Sequence, residues 1–389
     1  MKQRIVWLVV LAASLALAGQ VWAAPVRGVT DTTIKIGQWG PQTGPAALWG
    51  AVARGTGLLF KMINDAGGIN GRKIKYYIRD DGYQPSRTKA IVKDLLDNVG
   101  VWGFACGVGT SPGLAAMPEI VKRGVPWVGM ATGSRHWAIP PKKTIFATYP
   151  WYSTEAKALV RYALDTLGMK KLGFVYQNDD YGKGGLDPAV AELKQRGKAL
   201  AVAIPTEVTD TDLASHVLKL KAAGCDAVIL WLLPKQAIIT VATAAKLGYR
   251  PQWITSSTLS DAPLMYKLSK GLWKGVIFGN FIDVPDSKSP LMAKYRAAWK
   301  KYAPKERWGV FYYAGIGFVE PMVEGLKRAG RDLSVDNFVR AMESIKGFQG
   351  IMGKVTFSPT RRQGIKQVFL GKCGDGGKSI RLTDWIDAE

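Results

Sequence analysis

Histidine and cysteine are scarce in this sequence of 389 residues. The two histidines, His136 and His216, are far apart and no HExxH motif occurs, so nothing indicates a zinc hydrolase or a Ser-His-Asp enzyme. The three cysteines, Cys106, Cys225 and Cys373, have no CxxC spacing, and their odd number permits at most one internal disulfide. We therefore expect a protein that is not an enzyme and that binds neither a metal nor a cofactor.

Acidic residues are also few. The chain has 30 Asp and Glu against 53 Lys and Arg, which gives a formal net charge of +23. The basic residues are scattered along the chain, and this argues against a nucleic-acid partner. The charge favours an anionic ligand or an acidic membrane surface, or it reflects a generally basic exported proteome.

Long apolar runs are absent except at the N-terminus. Lys2 and Arg4 precede an apolar run from Ile5 to Leu17, and Val21-Trp22-Ala23 follows with small residues at the positions that signal peptidase requires. This pattern predicts a signal peptide over residues 1–23, cleaved after Ala23. No cysteine follows it for lipid attachment, and no later segment reaches the ~18 apolar residues of a membrane-spanning helix. We expect a soluble exported protein, located in the periplasm of a bacterium with two membranes.

The rest of the chain alternates between strand-like and helical patterns. A strand is predicted over 33–39 and a helix over 51–64, and the alternation continues from 73 to 130. It restarts near residue 150 and continues to residue 255, with one helix predicted over 188–196. A run of βαβ units predicts parallel sheets covered by helices, so we expect two doubly wound α/β lobes. In such folds ligands bind at the carboxyl ends of the strands.

One strand end is a candidate binding loop. The apolar strand predicted over 101–105 ends in small residues, and a helix follows. Thr110 or Ser111 is the predicted N-cap, with Pro112 at the first helical position. A hydroxyl beside free N–H groups, at the positive end of a helix dipole, suits a carboxylate. The alternative is that these hydroxyls only cap the helix.

Four motifs follow one another in order along the chain: Thr43-Gly44-Pro45, the string Asn64-Asp65-Ala66-Gly67-Gly68-Ile69-Asn70-Gly71, Asp80-Asp81, and Asp179-Asp180-Tyr181-Gly182. With the export signal, they make the chain similar to the periplasmic substrate-binding proteins of branched-chain amino-acid ABC importers, the leucine/isoleucine/valine-binding protein family. The resemblance implies the type I periplasmic-binding fold, in which two α/β lobes joined by a three-crossover hinge close around a ligand.

The resemblance also implies a division of the chain and a function. Residues 30–149 and 280–350 would form lobe I, and residues 150–279 and 351–389 would form lobe II. The protein would be a monomer of the Venus-flytrap type that captures an amino acid or related carboxylate and delivers it to a membrane permease. The alternatives are a periplasmic ligand-sensing input protein and a two-lobe α/β enzyme.

Carried over by position, the resemblance implies a set of ligand-binding residues. A hydroxyl contacts the ligand carboxylate, a second loop contacts the same head group, and an aromatic ring from each lobe encloses the ligand body. These residues are Thr110 with Ser111 beside it, then Ala131, Thr132 and Gly133, and finally Trp49 and Tyr181.

The sequence departs from the family at the position where the family has an acidic residue that holds the ligand ammonium. Here the chain has Thr255-Ser256-Ser257-Thr258, and Ser257 is the predicted equivalent. A buried ammonium without a carboxylate costs several kcal/mol, so the ligand is either an organic acid without an α-ammonium or an amino acid held by Asp261 or Asp180. The default interpretation of Asp261 is a charge at the start of the following helix. The family's disulfide partner for Cys106 is also missing.

Overall fold

The computed structural model describes residues 26–387. The predicted signal peptide therefore lies outside the described residues. Within residues 26–387, no helix has both the length and the apolar content needed to cross a membrane.

The first part of the chain forms a parallel sheet with three helices. Its strands lie in the order β2-β1-β3-β4-β5, and the last five residues of β1 are all buried, as expected for a strand in the interior of a parallel sheet. The strands are β1 (Thr33–Gly40), β2 (Lys73–Asp80), β3 (Gly103–Ala105), β4 (Trp127–Val128) and β5 (Ile145–Phe146), and the helices are α1 (Ala51–Asp65), α2 (Pro85–Asp94) and α3 (Thr110–Lys122). We call this sheet and the helices packed on it lobe I.

The next part of the chain forms lobe II. Its helices are α4 (Tyr152–Arg161), α5 (Asp180–Gln195), α6 (Ala214–Ala222), α7 (Pro234–Lys246) and α8 (Ala262–Leu268), and its strands are β6 (Leu172–Gln177), β7 (Val202–Thr206), β8 (Ala227–Trp231), β9 (Gln252–Thr255) and β10 (Ile277–Asn280). Strand β8 is buried along its whole length, as expected for an apolar strand in the middle of a sheet covered by helices on both faces.

The chain then returns to lobe I and finally to lobe II. Helices α9 (Pro290–Tyr302) and α10 (Val310–Ala329) pack on α1, and α11 (Val335–Glu343) packs on α10. A hairpin of β11 (Phe348–Gly350) and β12 (Gly353–Val355) follows. Strands β13 (Phe369–Cys373) and β14 (Ser379–Arg381) add antiparallel to lobe II, whose order is β14-β13-β10-β9-β8-β6-β7. The two predicted lobes are thus confirmed, and the second sheet is mixed.

The chain crosses between the lobes three times, after β5, after β10 and after β12. The first and third crossings are hydrogen-bonded to each other, since the Ala147 N–H donates to the Arg362 carbonyl (2.9 Å) and the Gly364 N–H donates to the Ala147 carbonyl (2.8 Å). The boundaries given above from the sequence stay a prediction.

One predicted helix start is wrong. Helix α5 begins at Asp180, whereas the sequence pattern placed its start at residue 188. The Asp179 carboxylate caps α5 by accepting hydrogen bonds from the Tyr181 and Gly182 N–H groups. Pro188 lies inside the helix.

Candidate functional site

A small cavity lies between the lobes, with about 300 Å³ of space not occupied by protein atoms, part of which is open to solvent. It lies beyond the carboxyl ends of β3, β6, β8 and β9, the edge at which α/β sheets bind ligands. Lobe I lines it with Trp49, Tyr83, Val108, Gly109, Thr110 and Ala131, and lobe II with Tyr152, Tyr181, Leu233 and Thr258. Four of these were named from the sequence: Trp49, Thr110, Ala131 and Tyr181.

Thr110 is the first residue of α3. Gly109 is the N-cap, with no side-chain cap hydrogen bond, so the predicted N-cap role of Thr110 or Ser111 is wrong. Instead, the buried Thr110 and Thr132 hydroxyls hydrogen-bond to each other, with Oγ1 atoms 2.7 Å apart. The Tyr152 hydroxyl hydrogen-bonds to both threonine side chains, and burial raises the pKa of Tyr152, which keeps that hydroxyl protonated. Three neutral hydroxyls therefore meet at the N-terminus of α3.

Ser111 joins the two lobes at the edge of the cavity. Its Oγ donates to the Asp179 Oδ2 over 3.0 Å. The Gln177 Nε2 donates to the same oxygen over 2.6 Å, while the other oxygen caps α5. Burial raises the pKa of Asp179. Asp180, the other acid of this motif, is exposed.

Tyr83 was not predicted from the sequence. Its N–H donates to the Asp81 Oδ1 over 3.0 Å, and its hydroxyl lies near Gln177 of lobe II. Gly109 makes room for it, since a Cβ there would lie 2.6 Å from the Tyr83 ring, and the Gly109 φ of 99° also favours glycine. In the sequence, the only signal for Tyr83 is its place directly after the Asp80-Asp81-Gly82 turn.

Aromatic rings form the walls of the cavity. The Trp49 ring packs edge-on against Phe311, with 4.9 Å between ring centroids, and the Tyr152 and Tyr181 rings are 5.4 Å apart. The Tyr181 hydroxyl is hydrogen-bonded to the Thr258 Oγ1 at 2.5 Å. These rings have little side-chain freedom to lose when a ligand binds.

Gly133 and Ser257 lie behind the cavity. The Gly133 carbonyl accepts a hydrogen bond of 2.8 Å from the Tyr152 N–H and so holds that tyrosine in place. Ser257 is buried, and its Oγ is 2.7 Å from the Tyr149 hydroxyl and donates to the Glu155 Oε2 over 2.9 Å. The Ser257 N–H donates to the other Glu155 oxygen.

Asp261 also lies away from the cavity lining. Its side chain is fully buried and accepts a hydrogen bond of 3.2 Å from the Leu264 N–H at the start of α8, as its default interpretation predicted. Its other oxygen pairs with Arg307. The ten residues that line the cavity therefore carry neither a carboxylate nor a cationic group.

No group of three or more His, Cys, Asp or Glu side chains in residues 26–387 is arranged to hold a metal ion. The cysteines Cys106, Cys225 and Cys373 are buried and free. Trp127, Trp231 and Trp253 are buried.

Comparisons with known proteins agree with the two-lobe fold. Leu/Ile/Val-binding protein homolog 1 of Brucella melitensis is 25% identical over 355 residues, which cover 90% of each chain. A branched-chain amino-acid ABC transporter protein of Thermus thermophilus, solved with bound valine, superimposes with a TM-score of 0.84 at 17% identity, over 92% of this chain and 97% of that one. A solute-binding protein of Rhodopseudomonas palustris in complex with 4-hydroxybenzoate gives 0.81 at 18% identity, over 92% and 98%. The family model described as periplasmic binding protein matches residues 33–378, and the chain belongs to that family.

Proposed function

We propose that this protein is the extracytoplasmic solute-binding protein of an ABC importer, which captures one small carboxylate between its lobes and delivers it to the membrane permease. The observation that supports this most is the cavity between the lobes, whose lining combines hydroxyl groups with aromatic rings. Cleavage after Ala23 would release the protein into the periplasm as a soluble monomer.

The N-terminus of α3 is the proposed carboxylate site. The first N–H groups of a helix have no partner within it, and the helix dipole favours negative charge there. The Thr110 and Thr132 hydroxyls lie at this point, and neither is used to cap the helix. A ligand carboxylate would accept hydrogen bonds from these two hydroxyls and from Tyr152.

The opposite side of the cavity offers nothing to hold an ammonium group by charge. Thr258 and Tyr181 present hydroxyls there, and the Asp179 and Asp261 carboxylates are already bound to protein donors. One neighbour of this fold was solved with valine and another with 4-hydroxybenzoate, so the fold leaves both ligand classes open. The uncharged lining leads us to propose an aromatic or branched carboxylate without an α-ammonium.

A panel of carboxylates tests the proposed capture. A ligand that binds only the folded protein stabilises it by about 2.7 kcal/mol at a hundred times its dissociation constant, so we expect a clear rise in Tm with 3-phenylpropanoate, benzoates or branched aliphatic acids. Small-angle scattering should show that the ligand-bound protein is at least as compact as the ligand-free protein. The matched amides, which lack the negative charge, are the control. If no acid or amino acid in the panel raises the Tm above that of the ligand-free protein, ligand capture is contradicted.

Thr110→Ala is expected to weaken carboxylate binding by about tenfold to a hundredfold, since a hydrogen bond to a charged group contributes roughly 1.5–3 kcal/mol. Thr110→Ser keeps the hydroxyl and should retain most of the affinity. Tyr181→Ala should also weaken binding, through loss of the ring from lobe II. Titration calorimetry measures the affinities, and circular dichroism checks the fold. Wild-type affinity in Thr110→Ala would remove this residue from the site.

A further inference from the structure

Asp261 is shared between the two lobes. It precedes α8 in lobe II, and one of its oxygens accepts from the Leu264 N–H of that helix. Its other oxygen pairs with Arg307, in the loop that leads into α10 of lobe I. The Phe311 N–H, in the first turn of α10, bonds to the same carboxylate. In this closed arrangement the Asp261 side chain is 0% exposed and that of Arg307 is 42% exposed.

The loop that carries Arg307 is fixed to lobe I and shaped around the carboxylate. Glu306 forms an ion pair of 2.7 Å with Arg54 of α1, and its carbonyl accepts from the Trp299 Nε1 of α9 over 2.8 Å. A Cβ on Gly309 would lie only 2.5 Å from the Asp261 Oδ2. The absence of a side chain at this position therefore lets lobe I approach the carboxylate.

Closing the lobes takes the Asp261 carboxylate out of water, and opening them returns it. Burial of an unpaired charge is strongly unfavourable, whereas a buried charge with an ion-pair partner and further hydrogen bonds is tolerated. Arg307 and the α10 N–H group supply these partners only when the lobes are together. The free energy of closure thus depends on this pair.

We propose that Asp261 and Arg307 form an interlobe latch that stabilises the closed conformation, so that Asp261 affects ligand affinity through lobe closure and without contact with the ligand. This inference rests on the proposed capture of a ligand between the lobes. It also gives Asp261 a different role from the ammonium anchor considered from the sequence.

Arg307→Gln tests the latch, because it leaves the buried carboxylate without its cation. Arg307 is exposed, so its replacement preserves the fold. If the closed state becomes tenfold less favourable, the affinity for every ligand falls by about the same factor, since apparent affinity scales with the competent fraction. Asp261→Asn should also weaken binding, and the double variant should lose less than the sum of the two single losses. Lys305→Gln, which removes an exposed positive charge from the same loop, should keep wild-type affinity.

A readout without ligand separates this proposal from the proposed function. The native cysteines are buried, so spin labels can be placed on cysteines introduced at the exposed positions Lys89 of α2 and Lys183 of α5. In the ligand-free protein, Arg307→Gln and Asp261→Asn should shift the interlobe distances to longer values, and Lys305→Gln should not. If no carboxylate binds the wild type, the proposed function fails, but the distances between the spin labels still test the latch.

Two results would overturn the latch. The first is the same distance distribution in the wild type and in Arg307→Gln. The second is a loss of affinity in Asp261→Asn that is confined to ligands with an amine, which would make Asp261 an ammonium anchor.

Discussion

Phenylalanine is expected to bind this protein at least a hundredfold more weakly than 3-phenylpropanoate, which differs from it only by lacking the ammonium group. Burial of an ammonium without a carboxylate costs several kcal/mol, and each 1.4 kcal/mol changes the affinity tenfold. The residues that line the cavity offer the ammonium only hydroxyls and backbone carbonyls. Calorimetry with this pair, and with leucine against 4-methylpentanoate, measures the difference directly.

A carboxylate placed at Thr258 should reduce that difference. Thr258 lines the cavity, and its Oγ1 is hydrogen-bonded to the Tyr181 hydroxyl, which can donate to a new carboxylate at the same place. We expect Thr258→Asp to bind phenylalanine more tightly than the wild type does. Thr258→Asn has nearly the same shape without the charge and is the matched control. Tight amino-acid binding by the wild type, abolished when the amine is removed, would contradict the organic-acid proposal.

The fold was accessible from the sequence because its elements are locally encoded. The strand predicted over 33–39 is β1 (Thr33–Gly40), and the helix predicted over 51–64 is α1 (Ala51–Asp65), so both agree to within one residue. The start of α5 was missed because Gly182, Gly184 and Gly185 are typical of a loop and Pro188 is typical of a helix start. A side-chain cap from Asp179 starts the helix earlier than that local pattern predicts.

The residue pattern alone pointed only to Thr110 and Ser111, at the start of the helix after β3. The family resemblance was needed to reach Trp49, Ala131 and Tyr181, which also line the cavity. Tyr152 and Tyr83 line the cavity because of contacts with distant segments, such as the packing of the Tyr152 ring against the Tyr181 ring. The pairing of Asp261 with Arg307 spans 46 residues of sequence and joins two lobes. Such contacts depend on the packed fold, and no local pattern encodes them.

Glu155 makes the stability of this protein depend on pH near neutrality. It lies in the first turn of α4, fully buried, and its carboxyl bonds only to Ser257 among the interactions that shift its pKa. Burial without a nearby cation raises the pKa of Glu155 to about 7. The folded protein therefore keeps the Glu155 carboxyl protonated at a pH at which the unfolded chain has released that proton.

The sign of the effect follows from proton binding. Between the pKa of the unfolded chain, near 4.5, and about 7, the folded state binds more protons at Glu155, so its contribution to the free energy of unfolding falls as the pH rises. Over the whole interval the loss is on the order of 3 kcal/mol. Below about 4.5 the full contribution of the neutral carboxyl is present.

Glu155→Gln is expected to remove the part of this dependence that comes from Glu155. Glu320, whose pKa burial also raises to about 7, keeps its own part in both proteins. The amide introduced by Glu155→Gln has nearly the shape of the protonated carboxyl and no charge to bury, so the variant should gain stability relative to the wild type as the pH rises from 5 to 8, by up to about 3 kcal/mol. Glu192→Gln is the control, because Arg161 and Arg196 lower the pKa of Glu192 and that variant should be less stable than the wild type by a constant amount over this range. Urea unfolding at several pH values measures both differences. A stability difference between Glu155→Gln and the wild type that does not change from pH 5 to pH 8 would show that Glu155 is ionised in the folded protein throughout.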